Sequence, residues 1–206
     1  VLLILDEVMC GMGRTGHLFA CEAEQVNPDI LCIAKGLGAG YQPIGAMLCS
    51  KAIYSAIESG SGFFQHGHTY LGHPVAAAAG QAVLEQLTTE GLMDQVQSSG
   101  AYLQRTLGEV FNNHPAVGDI RGRGLFVGVE LVADRSLKQP FDPSLGIAGR
   151  LKKAAFERGL ICYPMPGTRD GKHGDHVLLA PPFIATHQEL DFAVEVLAEA
   201  VNEVTA

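Results

Sequence analysis

The sequence predicts an α/β fold, with a mostly parallel sheet domain followed by a smaller α+β unit. Three observations carry that expectation. Short apolar runs alternate with helical stretches through the first half, as in successive βα units. The second half changes texture, with long amphipathic helices packing against a few strands. At 206 residues, 47% hydrophobic and 17% charged, the chain can bury a core and is too apolar for a disordered one.

Each element has a local reason. Leu2 to Leu5 is apolar without alternation, which predicts a strand buried on both faces. Gly11 to Gly16 reads as a loop, and Leu18 to Gln25 as a short helix. Asn27-Pro28-Asp29 turns the chain into a second strand, Ile30 to Ala34. The glycine-rich stretch Gly36 to Gly40 leads to a third strand at Ile44 to Cys49. Ser50 is placed to cap a helix over Lys51 to Glu58. A loop of glycines, aromatics and histidines, Ser59 to His73, precedes Pro74, which suits the first position of a helix over Val75 to Leu87. The change of texture near Leu87 to Gly91 predicts domains at 1–88 and 89–206.

Beyond it, a helix is expected from Leu92 to Asn112, with Val96, Leu103, Leu107, Val110 and Phe111 on its apolar face. Strands are expected at Val117 to Arg121, Leu125 to Leu131, Leu160 to Tyr163 and His176 to Leu179. Helices are expected at Leu145 to Arg158 and Gln188 to Val204.

Charge and cysteine usage narrow the function classes. The net charge is −8 with no basic block, which argues against nucleic acid or an anionic membrane surface as partner. Cys10, Cys21, Cys32, Cys49 and Cys162 form no C-x-x-C pair and sit mostly in apolar runs, as buried thiols of a reducing cytoplasm do. No run approaches the ~18 apolar residues of a membrane span. The chain opens without Met inside an apolar run, Val1 to Leu5, so it is expected to be the C-terminal part of a longer protein.

The chemistry lies at the strand ends, where open parallel sheets bind ligands. The first strand delivers Asp6 and the second delivers Lys35. If the two strands are neighbours, an acid and an amine face one cavity. An ion pair between them is the plain structural alternative. Gly36, Gly38 and Gly40 could let backbone approach a bulky planar ligand. A lysine at an apolar strand end is desolvated and can become a nucleophile for imine chemistry. A carboxylate beside it suits the ring nitrogen of a pyridoxal phosphate.

With these residues in view, Leu3-Ile4-Leu5-Asp6-Glu7-Val8, Gly11-Met12-Gly13-Arg14-Thr15-Gly16 and Lys35-Gly36-Leu37-Gly38 resemble the signature of the class III aminotransferases. His68-Thr69-Tyr70-Leu71-Gly72-His73-Pro74 and Gly122-Arg123-Gly124-Leu125 are similar too, so the likeness covers essentially the whole chain. It implies fold type I, pyridoxal 5′-phosphate as cofactor, and transfer of an amino group from an ω-amino acid or amine to a keto acid such as pyruvate.

By the same resemblance, Asp6 would hold the pyridine nitrogen and Val8 would pack on one face of the ring. Lys35 would bond the cofactor and serve as catalytic base. Thr69 would donate to the cofactor phosphate across the interface of a homodimer. Arg169, in a loop before Pro181-Pro182, would bind a substrate carboxylate. Met9 stands where some relatives carry a Gln that bonds the cofactor's phenolic oxygen, which leans away from the 4-aminobutyrate branch.

Other readings stay open on the residues alone. A relative of the same fold could be an aminomutase or a decarboxylase, and a fragment lacking the N-terminal half could be catalytically incompetent. Gly11 to Gly16 matches G-x-G-x-x-G, but a dinucleotide fingerprint needs its glycines directly at the strand end and an acid, not Lys35, at the next. In the resembled family this stretch is a structural loop near the dimer interface. His66, His68 and His73 lack nearby Cys or carboxylate partners, so no metal is expected. Asp170, His173, Asp175 and His176 read as a polar surface loop, and Arg121 or Arg123 as the partner of Glu130.

Overall fold

Apolar strand residues and a crossover of more than twenty residues bring β1 (Ile4–Asp6) and β2 (Ile30–Ile33) side by side in parallel, with Asp6 opposite Cys32. The crossover carries a 3-10 helix, Ala20–Glu24, where a short helix was expected. β3 (Ala46–Cys49) completes the sheet in the order β1-β2-β3, but it runs antiparallel to β2. The sheet is therefore mixed where mostly parallel pairing was expected. The connection of residues 34–45 contains only the 3-10 turn Lys35–Leu37, too short a device to cross back over the sheet.

Two helices follow. α1 (Lys51–Ser59) is capped by Ser50, whose Oγ accepts from the Ile53 N–H at 3.5 Å. α2 (Pro74–Thr89) starts at its proline, and the His73 Nδ1 accepts from the Ala76 N–H at 3.4 Å. The full burial expected for the first strand is not found: Ile4 is 59% exposed at the edge of the three-stranded sheet.

The computed structural model describes residues 1–89 and 91–206. Two compact units emerge, Val1–Asp94 and Gln95–Ala206. The expected boundary at Leu87 to Gly91 includes Glu90, which lies outside the described residues.

All but the first turn of α3 (Leu92–Phe111) belongs to the second unit. There β4 (Val117–Arg123), β5 (Phe126–Leu131), β6 (Tyr163–Pro166) and β7 (Asp175–Leu179) form an antiparallel sheet in the order β4-β5-β7-β6. Strand alternation turns Val127, Val129, Leu131, Val177 and Leu179 inward. They join a core with Leu103, Leu107 and Phe111 of α3, Leu151 of α4 (Ile147–Glu157), and Val194, Leu197 and Val201 of α5 (His187–Thr205). Val110, expected on the apolar face of α3, is 43% exposed, because burying Phe111 turns its predecessor about 100° away.

β6 begins later than the expected Leu160 to Tyr163. Leu160 and Cys162 pack on the core as part of the connection, and pairing starts at Tyr163 opposite Leu178. Pro164 and Pro166 are tolerated because β6 is an edge strand. The expected polar loop cluster also divides. Asp170 and His173 lie in the β6–β7 connection, whereas Asp175 and His176 are strand residues. Asp175 is buried, and its Oδ1 accepts from the Ala148 N–H at 3.1 Å. It thereby caps α4, whose own N-cap, Gly146, has no side chain to do so.

Candidate active site

Parallel pairing of β1 and β2 brings their carboxyl ends to one edge of the sheet. Asp6 is the last residue of β1, and its exposed carboxylate accepts from the Val8 N–H through Oδ1 at 3.0 Å. That local bond fixes the carboxylate's orientation. Val8, half-buried, follows in the turn, and Met9 beside it is exposed. On β2, Ala34 ends the extended run, and Lys35 opens the 3-10 turn with φ of +38°. Left-handed backbone at a lysine costs about 1 kcal/mol and is retained where the surroundings impose it.

Lys35 is exposed rather than desolvated, since this turn swings it out of the strand. Asp6 and Lys35 are thus presented by neighbouring strands of one sheet. No salt bridge joins them among the described residues. Thr69 belongs to the same unit, in the exposed turn leading to α2. Arg169 belongs to the other unit, exposed in the β6–β7 connection, where its backbone N–H donates to the His173 carbonyl at 2.9 Å.

Two of the glycines beside Lys35, Gly36 and Gly38, are required by the packing of the chain itself. A Cβ on Gly36 would stand 2.8 Å from the Met12 Cβ, and one on Gly38 would stand 2.2 Å from the Gln42 carbonyl oxygen. The loop of residues 11–16 is thus a brace. Met12 is 1% exposed, takes φ of +56°, and packs behind the Lys35 turn. On another side, Leu37 is buried, and Gly80 of α2 faces it and Ile44.

Sequence reasoning missed Glu7. It is 3% exposed, and its two carboxylate oxygens accept from the Ala20 N–H at 2.6 Å and the Cys21 N–H at 2.8 Å. The Cys21 thiol is pushed up to about 11, first by burial and then by its hydrogen bond to Glu7. Burial likewise raises the thiols of Cys10 and Cys162, so these three are poor nucleophiles at neutral pH. A signal existed: an acid directly after the strand and a helix start thirteen residues on.

In the second unit, the Arg121 Nη1 bonds Glu130 at 2.7 Å and Asp119 at 2.8 Å, which raises its pKa. The Thr168 hydroxyl and the His176 Nδ1 are 2.6 Å apart. Burial and the nearby Arg121 push the His176 imidazole down. Among the described residues, no three His, Cys, Asp or Glu side chains are placed to hold a metal ion, and no helix is long and apolar enough to cross a membrane.

Known proteins share this sequence pattern and fold. The chain matches the family model described as aminotransferase class III over residues 1–201. It is 46% identical to an aminotransferase of Gibberella zeae, over 97% of this chain and 39% of that protein. A thermostable (S)-enantioselective omega-transaminase from Thermomicrobium roseum superposes with a TM-score of 0.90 at 38% identity, covering 100% of this chain and 44% of that one. The PMP-bound aminotransferase from Vibrio fluvialis does so at 0.88 and 33%, covering 99% and 44%. The chain therefore spans less than half the length of these proteins. Motif order, strand-end geometry and near-complete coverage of this chain agree: it belongs to the class III aminotransferases.

Proposed function

We propose that the natural polypeptide carrying this chain is a pyridoxal-phosphate-dependent aminotransferase, moving an amino group from an ω-amino acid or amine to a keto acid such as pyruvate. One observation carries the reading: Asp6 and Lys35 stand at the carboxyl ends of adjacent parallel strands. The donor set fits the cofactor chemically. A carboxylate with one oxygen held by the Val8 N–H suits a protonated ring nitrogen, a primary amine suits an aldehyde, and a hydroxyl at Thr69 suits a phosphate. When bound, pyridoxal phosphate supplies an electron sink for the bonds of the substrate carbon.

The chain's own residues do the rest. Asp6 would hold the ring nitrogen, its negative charge favouring the protonated form. Val8 would pack on one face of the ring. Lys35 would hold the cofactor through its primary amine, and its Nζ would be the base that moves a proton at the substrate carbon. Thr69 donates to the phosphate, in the homodimer that the family resemblance implies. Arg169 binds the carboxylate of the keto acid through its two-pronged guanidinium. The domains expected at 1–88 and 89–206 separate the strand-end residues from Arg169. Five free thiols fit the reducing cytoplasm.

The test is keto-acid-dependent amino transfer from an ω-amino acid, with pyruvate as acceptor. Lys35→Ala is expected to lower kcat by at least about 10³-fold with the fold intact. Arg169→Ala is expected to raise the apparent KM for pyruvate. Amino transfer undiminished in Lys35→Ala would overturn the reading of that residue, and an unchanged KM would remove Arg169 from it.

A further inference from the structure

We infer that Glu7 is a positioning residue for Asp6, holding the strand end from which that carboxylate meets the cofactor's ring nitrogen. The inference rests on the reading of Asp6 above. Glu7 is tied on every side. Its backbone N–H donates to the Cys32 carbonyl at 2.9 Å, extending the β1–β2 ladder one step past Asp6. Its carboxylate takes the N–H groups of Ala20 and Cys21 at 2.6 and 2.8 Å, the first turn of the 3-10 helix Ala20–Glu24. Its carbonyl accepts from the Gly11 N–H at 3.0 Å.

The fit is close. A Cβ on Gly11 would stand 2.8 Å from the Glu7 carbonyl oxygen and 3.2 Å from its Oε2. Asp6 pairs opposite Cys32 and its carbonyl accepts from the Cys10 thiol at 3.9 Å, but its carboxylate has no comparable anchor. It is exposed, and the Val8 N–H that steadies it belongs to the turn directly after Glu7. Moving Glu7 therefore moves both the peptide that carries Asp6 and the donor that aims it. A carboxylate that merely capped the 3-10 helix would change stability and leave the ring nitrogen as it was.

Two substitutions act on the same bonds from opposite ends. Glu7→Gln keeps the volume and can accept only one of the two N–H groups well. Ala20→Pro removes the donor to Oε2 and sets the ring Cδ in its place, so that this carboxylate oxygen, 2.6 Å from the Ala20 nitrogen, must move. The backbone suits proline there, because Ala20 is the first residue of the helix and Phe19 already has the extended conformation (φ −118°, ψ 137°) that proline requires before it.

The experiment uses the full natural polypeptide that carries this chain, loaded with pyridoxal phosphate labelled with ¹⁵N in the ring. The nitrogen shift, followed against pH, reports whether the ring is protonated. Asp6→Asn is expected to lose the ring proton at neutral pH. Glu7→Gln and Ala20→Pro are each expected to lower the midpoint by about one pH unit, a tenfold loss of ring protonation.

If Asp6→Asn moves the shift while both other variants keep the natural midpoint, Glu7 is only a cap, and the reading of Asp6 survives. If Asp6→Asn itself retains the ring proton, the reading of Asp6 fails and the inference with it. Should Glu7→Gln fail to fold, Ala20→Pro decides alone. Cofactor loss with an unchanged midpoint in the bound fraction counts against the inference.

Discussion

The two units solve the problem of holding side chains in place by different means. Gln95–Ala206 relies on burial: four paired strands and three helices share one continuous apolar core, with Leu107, Phe111, Val129 and Leu197 fully enclosed. Val1–Asp94 exposes Ile4, Met47, Phe63 and Tyr70 and buries few large side chains. Its strand ends are held instead by backbone hydrogen bonds to Glu7, by close approaches at Gly11, Gly36 and Gly38, and by left-handed backbone at Met12, Lys35 and Ala39. Within this chain, which spans less than half the length of its relatives, the strand ends are placed by polar and steric contacts.

The comparison is sharpened most by core truncation. Leu107→Ala removes a fully buried side chain and is expected to cost about 2–5 kcal/mol. In this chain taken alone, Ile4→Ala, at an exposed strand position, is expected to stay within roughly 0.5 kcal/mol. Chemical denaturation of both variants measures this. Equal losses would break the distinction, showing that the first unit depends on apolar burial as much as the second.

A smaller effect probes the steric brace. Gly36→Ala drives a Cβ to 2.8 Å from the Met12 Cβ and is expected to cost about 1–3 kcal/mol. Met12→Ala keeps the clashing atom and gives no relief. Met12→Gly removes it and suits the φ of +56°, at the cost of a buried side chain. In a double-mutant cycle, Gly36→Ala with Met12→Gly should therefore be less destabilised than the sum of the two singles. Additive losses would show that loop 11–16 does not brace the Lys35 turn.

How much of this was legible in the sequence follows the same division. The helices and the core of the second unit could be read because period 3.6 and period 2 report burial directly, and Val96, Leu103, Leu107 and Phe111 all proved enclosed. Ser50 and Pro74 signalled their helix starts by local chemistry. The neighbouring strand ends of Asp6 and Lys35 followed from order and motif.

What escaped was long-range. The antiparallel turn of β3 depends on the length of a connection. The trans cap from Asp175 to α4 joins residues 27 apart, and the bonds from Ala20 and Cys21 to Glu7 span 13 and 14. The glycines were recognised as permissive. Met12 and Gln42, which fill the space beside Gly36 and Gly38, could not be seen without coordinates.

Acid tests the comparison from the other side, because the well-packed unit carries the proton-sensitive loop. Asp170 accepts the N–H groups of His173 and Lys172 and bonds the His173 ring at 2.8 Å, which holds its carboxyl down to about 2. A folded value below the ordinary 3.8 means that its stabilisation is complete above pH 4 and lost as pH falls toward 2. His176 has the same sign. Burial and Arg121 lower its imidazole, so its neutral form supports the hairpin above the ordinary 6.5 and that support fades as pH falls. Asp175 opposes both: burial raises its carboxyl, so its contribution is present below 3.8 and diminishes as pH rises through the folded value. The hairpin of residues 167–174 should therefore loosen in two stages on acidification, through His176 below pH 6.5 and through Asp170 below pH 4. Hydrogen-exchange protection of the Arg169 and His173 amides, both bonded within the hairpin, measures it. His176→Asn is expected to flatten the first stage alone, and Asp170→Asn the second. A single transition shared with the core amides would show that the loop and the core open together, and that burial in this unit protects its surface as firmly as its interior.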